Sequence, residues 1–526
     1  MKTDGMIKDE KNLQLSTTYR SSCIFPLFNL DKTDFILLFQ NYWKWKRDID
    51  VFFELCIRNE FGTELLKVNK QPNESNYISA SVIIKESKIK KKDTLNGTIE
   101  LSIFSVKNII FPFPAVYGVY KQKKNKISLV HSAGRTLEKG KLEKAFFNET
   151  NFYLSLDEKY DPFIHIFNGP SGDLKNLSVE LSIVNSELPL VSKKFSIQSI
   201  NNPYESKIIF LNKNIKKFLD YLNLEKKISS TINSKFDIIA KLKGESESIY
   251  PRFICGNFHL KDQFPSVTHT FRDIVDDKDK ITITKTKERS TLALPLIEDL
   301  HLTTFIYPSS NPSSAPIELN IYDLDKNQLT DKKFKIDIRS DKGKLFSLKS
   351  DRDYFGIKNI GLCATGKEIP TRIHVNLMYS CKSNSNSFPT DISLDFRPYL
   401  LKPKFNYWSN GIFIKGYKNY VILSTFMQSI IKDNLNLKDS TELKIEFFLN
   451  LNKDKEWKRK LIEFPKNEKT HILNIEELTK DLFYKKEFGH EEYFSWRIKI
   501  IDGSIQDVYC IGFNKSEGSI FGDHSF

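Results

Sequence analysis

Cysteine and methionine are scarce, at 6 and 4 in 526 residues. Cys23, Cys56, Cys255, Cys363, Cys381 and Cys510 show neither CxxC spacing nor a regular framework, which argues against a zinc ribbon, a redox pair and a disulfide scaffold. They read as buried small apolar residues of a reducing compartment. No apolar run reaches the roughly 18 residues of a membrane-spanning helix. The opening stretch MKTDGMIKDEKNLQLSTTYR lacks the apolar core, roughly 7–15 residues long, of a secretory leader. The expectation is a soluble protein without a membrane span, cytoplasmic by default, with export by a non-Sec route left open.

The signatures of common chemistries are missing too. GxxxxGK(S/T) and GxGxxG are absent, which removes the usual phosphate cradles, and there is no GxSxG elbow. The 9 histidines form no HExxH or HxH, and the run Asp273, Asp276, Asp277, Asp279 lacks the Gly and final Glu of a calcium loop. No metal and no cofactor is expected. Lys and Arg exceed Asp and Glu by 80 to 66, a net +14 that is thin over so long a chain. The clusters Lys88, Lys90, Lys91, Lys92 and Lys121, Lys123, Lys124 sit in turn-like stretches. Nucleic acid is not expected as a partner, because its footprint is a concentrated basic stripe. An acidic polysaccharide remains open, since diffuse positive charge speeds encounter with any polyanion.

What is present is aromatic and repetitive. The 41 Phe and 21 Tyr favour strands. FPSVTHTFR (264–272) matches FPTDISLDFR (388–397) once one residue is inserted, and looser versions occur as SLVHSAGR (128–135) and GDHSF (522–526). Alternating or continuous apolar strands precede each copy. His131, His269, Leu394 and His524 mark equivalent positions, 138, 125 and 130 residues apart, a spacing that suits a sandwich of roughly seven to nine strands. The predicted fold is therefore all-β: a tandem array of about four related antiparallel β-sandwich domains, immunoglobulin-like or similar. The expected boundaries are a tail over 1–20 and repeats over 21–147, 148–284, 285–399 and 400–526. Helical spacing of apolar residues predicts a short helix within 212–228. A second is predicted over 474–483, with Asn474 as N-cap and Glu477 three residues on.

Site residues are read against that repeat. His131, His269 and His524 suggest a general acid or a ligand, but the equivalent Leu394 makes the position a structural marker facing a core or domain contact. Arg135, Arg272 and Arg397 follow the markers, and Arg252 and Arg372 coincide on the neighbouring strand. Their planar forks suit carboxylate or sulfate, or else pair with acids such as Asp273 and Asp395 across domains. In QNYWKW (40–45) and FNYW (405–408), expected at strand ends or loops, Tyr42, Trp43, Trp45, Tyr407 and Trp408 offer rings beside amides, as a sugar site requires. Core or interdomain packing is the alternative. The leading expectation is a non-catalytic protein that binds or helps handle a surface polysaccharide. A structural or assembly component of an appendage or phage-like particle, with self-association or a protein partner, comes second. A glycan-active hydrolase or lyase comes third.

Overall fold

The computed structural model describes the chain from Tyr19 to Phe526. It leaves out residues 90–95, 110–113, 123–125, 132–133, 137–148, 185–190, 225–236, 272–289, 308–316, 337–345, 350–356, 366–372, 383–389, 399–405, 426–442, 452–455, 466–469, 485–490 and a few single positions. The predicted boundaries near 148, 285 and 400 lie outside the described residues, as do the tail up to residue 18 and the cluster Lys90, Lys91 and Lys92.

Four sets of eight strands follow one another. The first comprises β1 to β8 (Tyr19–Pro26, Thr33–Gln40, Phe52–Arg58, Glu64–Lys70, Ser75–Ser79, Thr98–Ser105, Val116–Gln122, Ile127–His131), followed by the short β9 (Arg135–Thr136). The second comprises β10 to β15 (Glu149–Leu154, Tyr160–Phe167, Lys175–Val184, Ser192–Ser196, Ser206–Phe210, Asp237–Glu245), the short β16 (Ile249–Tyr250), β17 (Ile254–His259) and β18 (Phe264–His269). The third is β19 to β26 (Ser290–Pro295, Leu300–Tyr307, Ile317–Asp323, Gln328–Ile336, Phe346–Lys349, Asn359–Thr365, Ile373–Cys381, Thr390–Pro398). The fourth is β27 to β34 (Asn406–Ile414, Lys418–Ser424, Leu443–Leu451, Lys458–Phe464, Thr470–Asn474, Glu491–Asp502, Asp507–Asn514, Ser519–His524).

Counting strands one to eight within a unit, every unit forms a first sheet in the order 1-6-3-4 and a second in the order 5-2-7-8. Shifting each number by four, and counting past eight back to one, converts the first order into the second. Each sandwich thus interlocks two half-units of four strands. Its first strand neighbours the sixth, not the second as in an immunoglobulin domain, so the connection pattern is a different one. In the third unit β19 also pairs with β26, which joins both sheets along one edge. The first unit makes a similar closure through the Ile24 N–H to the Gly134 carbonyl at 2.6 Å. In the fourth, Trp408 and Phe526 exchange reciprocal backbone hydrogen bonds of 3.2 and 3.1 Å.

The helices obey local rules. Among the described residues they are α1 (Tyr42–Arg47), α2 (Ala80–Glu86), α3 (Asn212–Leu224) and α4 (Ile475–Phe483), and the last three each follow a fifth strand. Asn474 caps α4 by accepting the Glu477 N–H at 3.3 Å, as its spacing predicts. Ser79 caps α2 in the same way, through the Val82 N–H at 3.3 Å. Ile215, Phe218 and Leu222 of α3 enter the second unit's core at helical spacing.

The two sheets of a unit differ in their surroundings. The first sheets include alternating strands such as β15 and β29, with outer edge strands β4, β13 and β30 wetter still. The second sheets hold β2, β17, β18, β33 and β34, buried almost throughout. In β2, Phe35, Leu37 and Phe39 point into the first unit's core. Ile36 and Leu38 point the other way, into a cluster with Ile412, Ile414, Tyr417 and Phe521 of the fourth. Burial on both faces explains why these strands read as continuous apolar runs, since neither face has to satisfy water. The closing strands pack in turn, β8 on β18, β18 on β26, β26 on β34 and β34 back on β8, so the four units form a closed ring.

Candidate functional site

The ring brings three of the four repeat markers together. The His131 ring stands edge-on to His269, with centres 4.5 Å apart, and to His524 at 4.2 Å. Leu394 occupies the equivalent place on β26, buried beside Ile392 in the core that the third and fourth units share. His269 Nδ1 lies 2.9 Å from the Thr270 carbonyl oxygen, and His524 Nδ1 lies 2.9 Å from that of Ser525. A carbonyl only accepts, so both imidazoles donate from Nδ1.

Asp523, on β34 beside His524, reaches across the seam to the first unit. Its carboxylate accepts the His131 backbone N–H at 2.6 Å and the His524 N–H at 2.7 Å, and lies 3.0 Å from His131 Nδ1. Burial pushes the Asp523 carboxyl up, but His131, through charge and hydrogen bond, and His524 outweigh it and hold the group below the usual carboxylate range. His269 is driven well below the usual imidazole value, first by burial and then by His131 and Arg252, so it stays neutral. Sequence reasoning did not single out Asp523. The signal was available: the residues one before each marker are Val130, Thr268, Ser393 and Asp523, a single charge in an otherwise uncharged column.

The arginines separate. Arg135 on β9 is buried, with its guanidinium 3.4 Å from the centre of the Tyr250 ring. Burial draws it down to about 10, with Tyr250 opposing and Arg252 reinforcing the shift. Because β9 pairs with β16, Arg135 and Arg252 meet at the seam of the first two units. Arg272 and Arg372 lie outside the described residues. Arg397, on β26, stands opposite Thr291 of β19, and its side chain is likewise outside them.

The two aromatic stretches meet each other. QNYWKW, expected at a strand end or loop, forms α1, started by Asn41 and ended by Asp48 in a left-handed conformation at φ 50°. The helix was not legible because its buried residues, Tyr42 and Trp43, are adjacent in sequence and show no helical spacing. Tyr42 stacks on Trp43 at 4.1 Å and lies 5.2 Å from Trp408, on which Trp45 stands edge-on at 5.6 Å. Tyr407 is buried and donates its hydroxyl to the Ile505 carbonyl at 2.8 Å. Gln40 fixes the same seam by donating to the Ser409 and Trp496 carbonyls at 2.8 and 3.1 Å and accepting from Arg497 Nε at 2.8 Å. The Arg497 guanidinium lies between Trp45 at 4.3 Å and Trp457 at 3.8 Å.

A small cavity in the fourth unit, lined by Asn410, Gly411, Val421, Phe494, Trp496 and Phe521, has room for about one water molecule, far too little for a small-molecule site. The six cysteines are buried free thiols. No helix among the described residues is long and apolar enough to cross a membrane.

No family model matches the chain, and no curated protein matches it. Among solved structures, one described as "Biofilm associated protein - BSP domain" aligns over 96% of this chain and 95% of that chain, at 8% identity and a TM-score of 0.16. A score that low carries no argument about fold or function.

Proposed function

We propose that the chain is a non-catalytic structural or assembly component in which four sandwiches act as one rigid body. The observation that carries this reading is the fate of the residues with chemical promise. Tyr42, Trp43, Trp45 and Trp408 stack on one another, and Arg135 is buried against Tyr250, all at seams between units. The indole N–H groups of Trp43, Trp45 and Trp408 are buried without an acceptor among the described residues, so these rings serve as apolar area. Their burial weighs against a sugar platform made of the same rings. Light scattering coupled to size exclusion, with electron microscopy across a concentration series, tests the reading. Ordered self-assembly is expected, and a strict monomer at every concentration would sink it.

A second reading, contact with an acidic polysaccharide, draws on the basic residues of the outer edge strands. These are Lys67 and Lys70 on β4, Lys193 and Lys194 on β13, and Lys458, Arg459 and Lys460 on β30. Retention on an immobilised sulfated or uronate glycan that weakens steeply with salt is its expected sign. Elution with the void volume at low salt removes it.

A further inference from the structure

We propose that His131, Asp523 and His524 form a binding site for a divalent transition metal of zinc type, which clasps the first unit of the ring to the fourth. Each of the three offers one ligand atom, and these atoms all lie within 4.8 Å of one another, close enough for a single ion to gather them with modest ring rotation. Two imidazoles and one carboxylate are a borderline donor set, suited to zinc and its neighbours rather than to calcium or magnesium.

Neighbouring backbone groups orient two of the three ligands, as groups around a bound metal do. The Ser525 carbonyl accepts a hydrogen bond from His524 Nδ1 at 2.9 Å, which orients the ring. Backbone N–H groups of His131 and His524 hold the Asp523 carboxylate in place. A separate observation points the same way. His269 is 2% exposed and edge-on to His131. Its Nε2 is buried with no hydrogen-bond partner among the described residues. A buried lone pair left unmade is costly, and this third imidazole adjoins the cluster through its edge-on contact with His131. The inference is independent of whether the chain assembles, because both halves of the site lie on one chain.

The test uses the full-length protein stripped of metal with a chelator and titrated with Zn²⁺ in a calorimeter, then with Co²⁺ in a spectrophotometer. One ion per chain is expected, with the intense visible absorption of four- or five-coordinate Co²⁺ and a rise in Tm on loading. His131→Gln and His524→Gln should each weaken binding at least tenfold, while His471→Gln, on β31 outside the cluster, should not. Absence of Zn²⁺ binding, a weak six-coordinate Co²⁺ spectrum, or unchanged affinity in both cluster variants would overturn the proposal. The wild-type Co²⁺ spectrum decides alone if a variant does not fold.

Discussion

Two buried groups away from the histidine cluster make stability depend on pH, with opposite signs. His165, on β11 between Phe163 and Phe167, is 0% exposed, and neither ring nitrogen has a hydrogen-bond partner among the described residues. Burial lowers it to about 3. The unfolded chain therefore binds a proton near pH 6.5 that the folded chain refuses, and stability falls as pH drops from there toward 3. His165→Leu should flatten that acid limb and stabilise the fold by about 1–3 kcal/mol at pH 5, read by urea denaturation. Asp391, on β26, is raised to about 7 by burial, near Tyr153, Tyr160 and Cys255 of the second unit. Here the unfolded chain loses a proton that the folded chain keeps, so stability is full below about pH 4 and declines as pH rises toward 7. Asp391→Asn should stabilise the protein at pH 8 and change little at pH 4; equal effects at both would refute the burial argument. Charge pairing stabilises another buried site, where the Glu100 carboxylate, 1% exposed, lies between Arg20 at 2.7 Å and Arg58 at 2.6 Å. Arg58 also lies 3.9 Å from the centre of the Tyr204 ring in the second unit. Glu100→Ala strands a buried guanidinium and should cost about 3–5 kcal/mol in denaturant unfolding.

Closing strands decide both legibility and fragility. Phe526 hydrogen-bonds Trp408 and packs on Tyr117, while the Tyr117 hydroxyl donates to the His524 carbonyl at 2.7 Å. Removing His524, Ser525 and Phe526 should lower Tm by several degrees or more, and an unchanged Tm would show that the seam between first and fourth units carries little energy. The edge strands resist association by a different device. The row Lys458, Arg459 and Lys460 on β30 keeps an open strand edge charged, with Arg459 paired to Glu446 at 3.1 Å. Replacing the three with Val, Thr and Val should raise aggregation in light scattering without lowering Tm. These elements also explain what could be read in advance. Strands with one wet face alternate, and the helices at Asn212 and Asn474 announce themselves by apolar spacing or cap, so sequence periodicity finds them. Internal comparison finds the repeat because His131, His269 and His524 hold one position. The juxtaposition of Asp523 with His131 was not legible, since the two lie 392 residues apart and no periodicity spans a ring closure.

At the scale of the molecule, cores and seams are not separable. One cluster holds first-unit residues together with Phe163, Ile254, Phe264 and Val267 of the second and Trp408 of the fourth. Another joins Leu377 and Ile392 of the third unit to Tyr509, Ile511 and Ile520 of the fourth. Calorimetry should accordingly show one dominant unfolding transition rather than four, and four resolved transitions would mean that the seams are only touching surfaces. The apolar outer face of β2 has a further consequence for synthesis. Gln40 waits for Ser409, 369 residues later, and Ile36 and Leu38 wait for the fourth unit to cover them. At ordinary translation rates, roughly 5–20 residues per second, that face stays bare on the ribosome for about 20 seconds or longer. The nascent first unit is thus a predicted client for chaperones during elongation, and slowing the ribosome late in the message should lower the soluble yield.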